Sequence, residues 1–159
     1  MSLRIAPATE REVPLVLSFI RKLAEYEKLS HLVVASEENI REHLFGENRV
    51  AEVLLAYWDA EAVGFALYFR NFSTFLGQVG IYLEDLFVEP AHRGKGIGKA
   101  LLARLANIAL ERGYGRLDWS VLDWNAPSIE FYRRLGAVAL EEWTVYRLTG
   151  DALSRLAGQ

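Results

Sequence analysis

The chain has no cysteine among its 159 residues, which removes thiol nucleophiles, disulfides and cysteinyl metal sites. Its three histidines, His31, His43 and His92, show neither an HExxH pattern nor paired spacing, so no metal is expected. No stretch approaches the roughly 20 consecutive apolar residues of a membrane span. The opening "MSLRIAPATE" has no apolar run of signal-peptide length, so the expectation is a cytoplasmic protein without membrane contact. Nor is there an excess of basic charge: 18 Lys and Arg against 21 Asp and Glu give a net charge of -3. With no helix carrying a long basic stripe, nucleic-acid binding is disfavoured, and any anion site must be local.

What is present is apolar surface. At 52% hydrophobic residues the chain can bury a substantial core, and its length suits a single domain over residues 1–159. "LRIAPAT" reads as a strand through Ile5. Thr9 and Glu12 fit a capping box, and a helix starting near Glu12 puts Pro14 in the tolerant first turn. Leu15, Phe19, Leu23 and Tyr26 then recur at helical spacing to about Lys28. Ser36 caps a second short helix that stops at Gly46. Strand composition follows in "VAEVLLAYWDAEAVGFALYFRNF", with "WDAE" as a tight link, and in "QVGIYLEDLFVE".

After a glycine-rich turn, Leu101, Leu105 and Ile108 mark one face of a helix ending near Gly113. "RLDWSVLDW" reads as a strand, "NAPSIEFYRRLG" as a helix capped by Asn125, "AVALEEWTVYRLT" as a closing strand and "DALSRLAG" as a terminal helical turn. The order β-α-α-β-β-β-α-β-α-β implies one α/β sheet of mixed direction.

Two features stand out. Arg93-Gly94-Lys95-Gly96-Ile97-Gly98 lies between a strand and a helix, where backbone N–H groups, the helix dipole and basic side chains can hold an oxyanion. A bland alternative leaves the glycines as a turn and the cations solvated. The spacing matches neither GxGxxG nor a P-loop, so phosphate recognition is favoured over nucleotide hydrolysis. Just upstream, Glu84 and Asp85 interrupt a hydrophobic run. In a regular strand they face opposite sides, so one of them points into a cleft, unless the acids mark a bulge or surface edge.

The basic corner resembles the acyl-CoA-binding motif R/Q-x-x-G-x-G/A of the GNAT N-acetyltransferase family, matched by Arg93, Gly96 and Gly98. "IAPATE" is similar to the family's first strand and turn, and "WNAPSIEFYRRLG" to its strand-to-helix segment near the acetyl group. Together "KLAEYEKL", "YLEDLFV", "RGKGIG" and "WNAPSIEFYRRLGA" most resemble the diamine (spermidine/spermine) N-acetyltransferases.

That resemblance implies a GNAT-like α/β fold: a central mixed, mostly antiparallel sheet with helices on both faces and a splayed parallel strand pair, the strand over 82–89 against that over 117–122. It implies acetyl-CoA as cosubstrate, with Leu86, Phe87 and Val88 along the pantetheine and Arg93, Gly94, Lys95, Gly96, Ile97 and Gly98 at the pyrophosphate. Asn125, Ser128 and Tyr132 would lie near the thioester, with Tyr132 as general acid. Glu84 would be the base, and Glu25, Tyr26, Glu27, Glu84, Asp85 and Trp143 would line the acceptor site. A small-molecule primary amine, either a polyamine or diamine or a thialysine-like molecule, is the implied acceptor, and a homodimer the implied assembly. The short "WDAE" hairpin and the "SHLVVA" segment depart from a full polyamine-enzyme match. Acetylation of a protein N-terminus or an antibiotic, or a non-catalytic CoA-binding regulatory module, are the alternatives.

Overall fold

Residues 2–159 are described by a computed structural model. They divide into two compact units, one running through Leu122 and the other spanning Asp123–Gln159. In the first, β1 (Leu3–Pro7), β2 (Glu52–Trp58), β3 (Glu61–Ser73), β4 (Gln78–Val88) and β5 (Leu117–Trp119) form a sheet in the order β1-β2-β3-β4-β5. The first four pair antiparallel and β4 pairs β5 in parallel, as a hairpin series followed by a helical crossover demands.

Helix α1 (Val13–Tyr26) begins with Glu12 as N-cap and Pro14 in its first turn, where the missing N–H costs nothing. The Thr9–Glu12 capping box forms one turn earlier, on a short 3-10 segment. The buried face of α1 is centred on Val16, Phe19 and Leu23, with Leu15 half-buried and Tyr26 at its margin. Phe19 stacks on Phe65 at 5.4 Å and lies 6.0 Å from Phe87, which fixes α1 over β3 and β4. Helix α2 (Glu37–Phe45) adds Leu44 to the same core. Its Ser36 cap accepts a hydrogen bond from the Asn39 amide at 3.1 Å.

Leu54 and Ala56 of β2 lie one residue out of phase with Val53 and Leu55 and so point to the other face, which α3 (Ile97–Glu111) covers with Ile97, Leu101, Leu105 and Ala109. Gly113, at φ 76°, turns the chain out of α3. Asp59 and Ala60 both adopt positive φ in the β2–β3 link, the pairing that matches strand twist in a two-residue hairpin.

The second unit contains α4 (Ala126–Arg134) and α5 (Gly150–Ala157). Two expectations need correction. The strand expected over 116–124 pairs only at Leu117–Trp119, and the closing strand expected over 137–149 does not form within the chain. A strand requires an edge to pair with, and composition alone does not supply one. Among the described residues, no helix is long and apolar enough to cross a membrane.

Candidate active site

The parallel pairing of β4 with β5 stops at Leu83 and Trp119, while β4 continues to Val88. Beyond Leu83 the edge of β4 facing away from β3 therefore has no strand partner among the described residues. At the same point β4 bulges: Tyr68 opposes Leu83 and Leu67 opposes Asp85, so Glu84 has no partner on β3. The bulge breaks the alternation that would have sent Glu84 and Asp85 to opposite faces.

The bulge gathers acids. Asp85 is half-buried, and its carboxyl is pushed up to about 7 by that burial first, then by the Glu84 and Glu27 charges. Glu27, which caps the end of α1, is likewise raised, first by burial and then by Glu84. Glu84 itself is exposed. Glu25 is exposed on α1 and contributes to neither shift. The embedded acids were legible in the sequence, but Asp85 as the perturbed member was not, because burial and a bulge are tertiary properties.

Past Val88, a short 3-10 turn (Pro90–His92) leads to the glycine corner. Gly94 and Gly96 both sit at φ 80°, and a Cβ placed on either would meet nothing within 4 Å. Gly96 is the N-cap of α3, so the first-turn amides of that helix open onto this uncovered backbone. Gly98 has ordinary φ, and a Cβ there would only reach Val88 Cγ2 at 3.9 Å. The corner thus leaves backbone bare where the chain could have placed side chains.

Arg93 and Lys95 are held rather than loose. The Arg93 guanidinium lies 4.8 Å from the Tyr26 ring centre and 5.6 Å from that of Phe87, and its Nε donates to the Val88 carbonyl at 3.0 Å. Lys95 Nζ lies 5.0 Å from the Trp58 ring centre. Lys22 pairs with Glu89, tying α1 to the end of β4. Arg93 therefore links the glycine corner to Tyr26, next to the acid cluster. The aromatic platforms under these cations went unseen in the sequence, since Trp58 and Tyr26 are far from them along the chain.

In the second unit, Asn125 is buried and its Oδ1 accepts the Ser128 amide at 3.3 Å, capping α4. Ser128 and Tyr132 are half-buried and one turn apart on that helix, and the Tyr132 ring lies 5.5 Å from Phe131. Trp143 is exposed in the irregular segment that follows. The first unit thus brings together Glu27, Glu84, Asp85, Tyr26 and the glycine corner, and α4 pairs Ser128 with Tyr132. No group of acids and histidines suited to a metal occurs among the described residues.

Residues 19–137 match the acetyltransferase (GNAT) family, and the chain belongs to it; the protein is an acetyltransferase. It is 41% identical to a thialysine N-epsilon-acetyltransferase of Sus scrofa, over 99% of each chain. An L-ornithine N5-acetyltransferase of Arabidopsis thaliana is 31% identical, over 96% of this chain and 87% of the relative. Among solved structures, an integron cassette protein from the mobile metagenome of V. cholerae superposes with a TM-score of 0.82 at 32% identity, over 100% of this chain and 99% of the other.

Proposed function

We propose that this chain, as one N-acetyltransferase domain over 1–159, moves the acetyl group of acetyl-CoA to a primary amine of a small diamine-, polyamine- or thialysine-like molecule. The observation that carries the acceptor class is the cluster of Glu27, Glu84 and Asp85 at the β4 bulge. Carboxylates there attract a cationic chain, and Tyr26 gives its methylenes a ring to lie on. Relatives named for thialysine and ornithine acetylation support the same class. The reading extends to a cytoplasmic homodimer.

The residues fit the cosubstrate. The free edge of β4 over Leu86, Phe87 and Val88 offers backbone groups to an extended amide-bearing arm, and Gly94, Gly96, Ile97 and Gly98 offer bare amides to phosphate oxygens. Arg93 and Lys95 supply positive charge, while Asn125 holds the start of α4. Bound acetyl-CoA supplies an acyl thioester as electrophile and a thiolate as leaving group.

The amine nitrogen forms the new C–N bond as the C–S bond breaks. The nitrogen loses a proton, and the Glu84–Asp85 pair accepts it directly or through water. The Tyr132 hydroxyl donates a proton to the departing sulfur, with Ser128 beside it. An alkylammonium has a pKa near 10, so an ordinary aspartate faces a transfer uphill by about six units. Raising Asp85 from 3.8 to about 7 removes roughly three of those units, or ~4 kcal/mol. Asp85 is therefore the tuned member of the pair, raised by its burial first and by the neighbouring Glu84 charge second.

The test is acetyl transfer from acetyl-CoA across thialysine, ornithine, putrescine, spermidine, lysine, short peptides and an aminoglycoside. The expected result is a kcat/KM for at least one small amine about 100-fold above that for peptides or aminoglycoside. Preference for a peptide N-terminus or aminoglycoside would overturn the acceptor class. Tight acetyl-CoA binding without turnover on any amine would make the protein a CoA-binding module instead.

A further inference from the structure

The first unit holds an open recess of about 300 Å3 that acetyl transfer does not use. Arg112, which lines it, is the C-cap of α3, whereas Gly96 of the glycine corner is the N-cap of the same helix. A helix of 15 residues sets the two about 22 Å apart. The recess exists because neighbouring strands end at different places: pairing of β2 with β3 stops at Glu52 and Tyr68, while β3 runs on to Ser73. The chain entering β2 is held to one side of it, since the Val50 and Ala51 amides both donate to the His43 carbonyl, at 2.8 and 3.3 Å.

Three arginines from three parts of the chain meet in this recess: Arg49 from the segment before β2, Arg70 from β3 and Arg112 from the end of α3. Of the lining residues only Glu52 is acidic, and it is already engaged. The Arg112 guanidinium donates to both of its carboxylate oxygens, each at 3.1 Å. Arg49 and Arg70 have no ion-pair partner among the described residues. Three cations against one anion leave two positive charges uncompensated, in a chain whose net charge is -3. Like charges gathered in one recess repel until an anion joins them. Its walls also carry half-buried rings: Phe69, whose ring centre lies 5.3 Å from that of Tyr82, and Tyr114, 6.0 Å from the Arg112 guanidinium.

We propose that this recess binds a small phosphate monoester with a flat apolar body, at a site separate from the one for acetyl transfer. Two uncompensated guanidinium groups match a dianion, which a phosphate monoester is above its second pKa of about 6, whereas a carboxylate brings a single charge. Each guanidinium fork can donate to two phosphate oxygens. Phe69 and Tyr114 give a ring or short chain apolar surface to lie against. The volume falls at the small end of the range for ligand sites, which suits one ring rather than a dinucleotide. The inference goes beyond the amine reaction and does not rest on it.

Phenyl phosphate is the probe, added to the full chain with CoA already saturating the glycine corner. Calorimetry should give it a Kd at least about tenfold below those of inorganic phosphate and benzoate, and benzylammonium should not bind. In NMR spectra, amides of residues 49–52, 69–71 and 112–114 should shift on titration while those of 94–98 stay in place. Arg49→Gln and Arg70→Gln together should raise the phenyl phosphate Kd at least about tenfold. Both side chains are exposed and unpaired, so the melting temperature and the acetyl transfer rate without phenyl phosphate should match the parent's. Arg112 is left in place because it holds Glu52. An unchanged Kd in the double variant, shifts confined to 94–98, or no binding to the parent at about 10 mM probe would overturn the site. Benzoate binding as tightly would overturn the dianion, and inorganic phosphate binding as tightly would overturn the apolar body.

Discussion

Asp85 titrates against the usual direction for an aspartate in a folded protein, and its effect on stability follows. Its carboxyl is raised to about 7, so the native state holds a proton that the unfolded chain, with a pKa near 4, releases earlier. Between about pH 4 and 7 the native state binds more protons, and stability falls as pH rises through that window. Asp85→Asn keeps the shape and deletes the charge. Its melting temperature should exceed the parent's at pH 8, and the gap should shrink towards pH 5 in thermal denaturation scans. The same variant should lose kcat/KM most above about pH 7, where the parent's Asp85 is ionised and can accept a proton, and the two should converge at lower pH, where Asp85 already holds one; coincident pH–rate profiles for parent and variant would remove Asp85 from proton transfer. Tyr132→Phe keeps the ring and deletes the hydroxyl. It should lower kcat by about 10² to 10⁴ with acetyl-CoA affinity retained, as calorimetry can check.

The elements place these residues by where pairing stops. The crossover through α3 brings β5 beside β4, and the bulge at Glu84 falls one residue after the last β4–β5 pair. Release of the edge and collection of the acids are thus one local event. At the next element, Gly98→Ala separates folding from ligand approach: its φ is ordinary and its new methyl meets only Val88 Cγ2 at 3.9 Å. Stability should hold or rise slightly, Ala being the better helix former. The acetyl-CoA dissociation constant should rise at least about tenfold if phosphate oxygens approach this amide, and an unchanged constant in equilibrium binding would move the pyrophosphate elsewhere. The β2–β3 link offers an independent check. Ala60 sits at φ 72°, a conformation that costs an L-residue about 1–2 kcal/mol, while Gly adds about 0.4–1 kcal/mol of unfolded-state entropy. Ala60→Gly should therefore stabilise by up to about 1 kcal/mol in denaturant titration without touching acetyl transfer.

For the whole molecule, the proposed homodimer predicts that stability depends on concentration: the melting temperature should rise over a hundredfold increase in protein, and a flat profile would count against the dimer. The core over β2, β3 and β4 is independent of this, because Phe19, Phe65 and Phe87 meet within the first unit.

The sequence by itself determined whatever depends on near neighbours in the chain. The Ser36 cap, Pro14 in the first turn of α1, the Asp59–Ala60 hairpin, the α3 face and the turn at Gly94–Gly98 are local, since caps, periodicity and φ preference act over a few residues. The glycine motif also carried the family. Tertiary structure alone decided the rest. Asp85 took its raised pKa from burial and from Glu27, a residue of another element. Arg93 took its place from Tyr26 and Phe87, brought together only by packing. The segment 137–149 has strand composition yet forms no strand, because a strand is completed by hydrogen bonds to an edge that its own stretch of sequence does not contain.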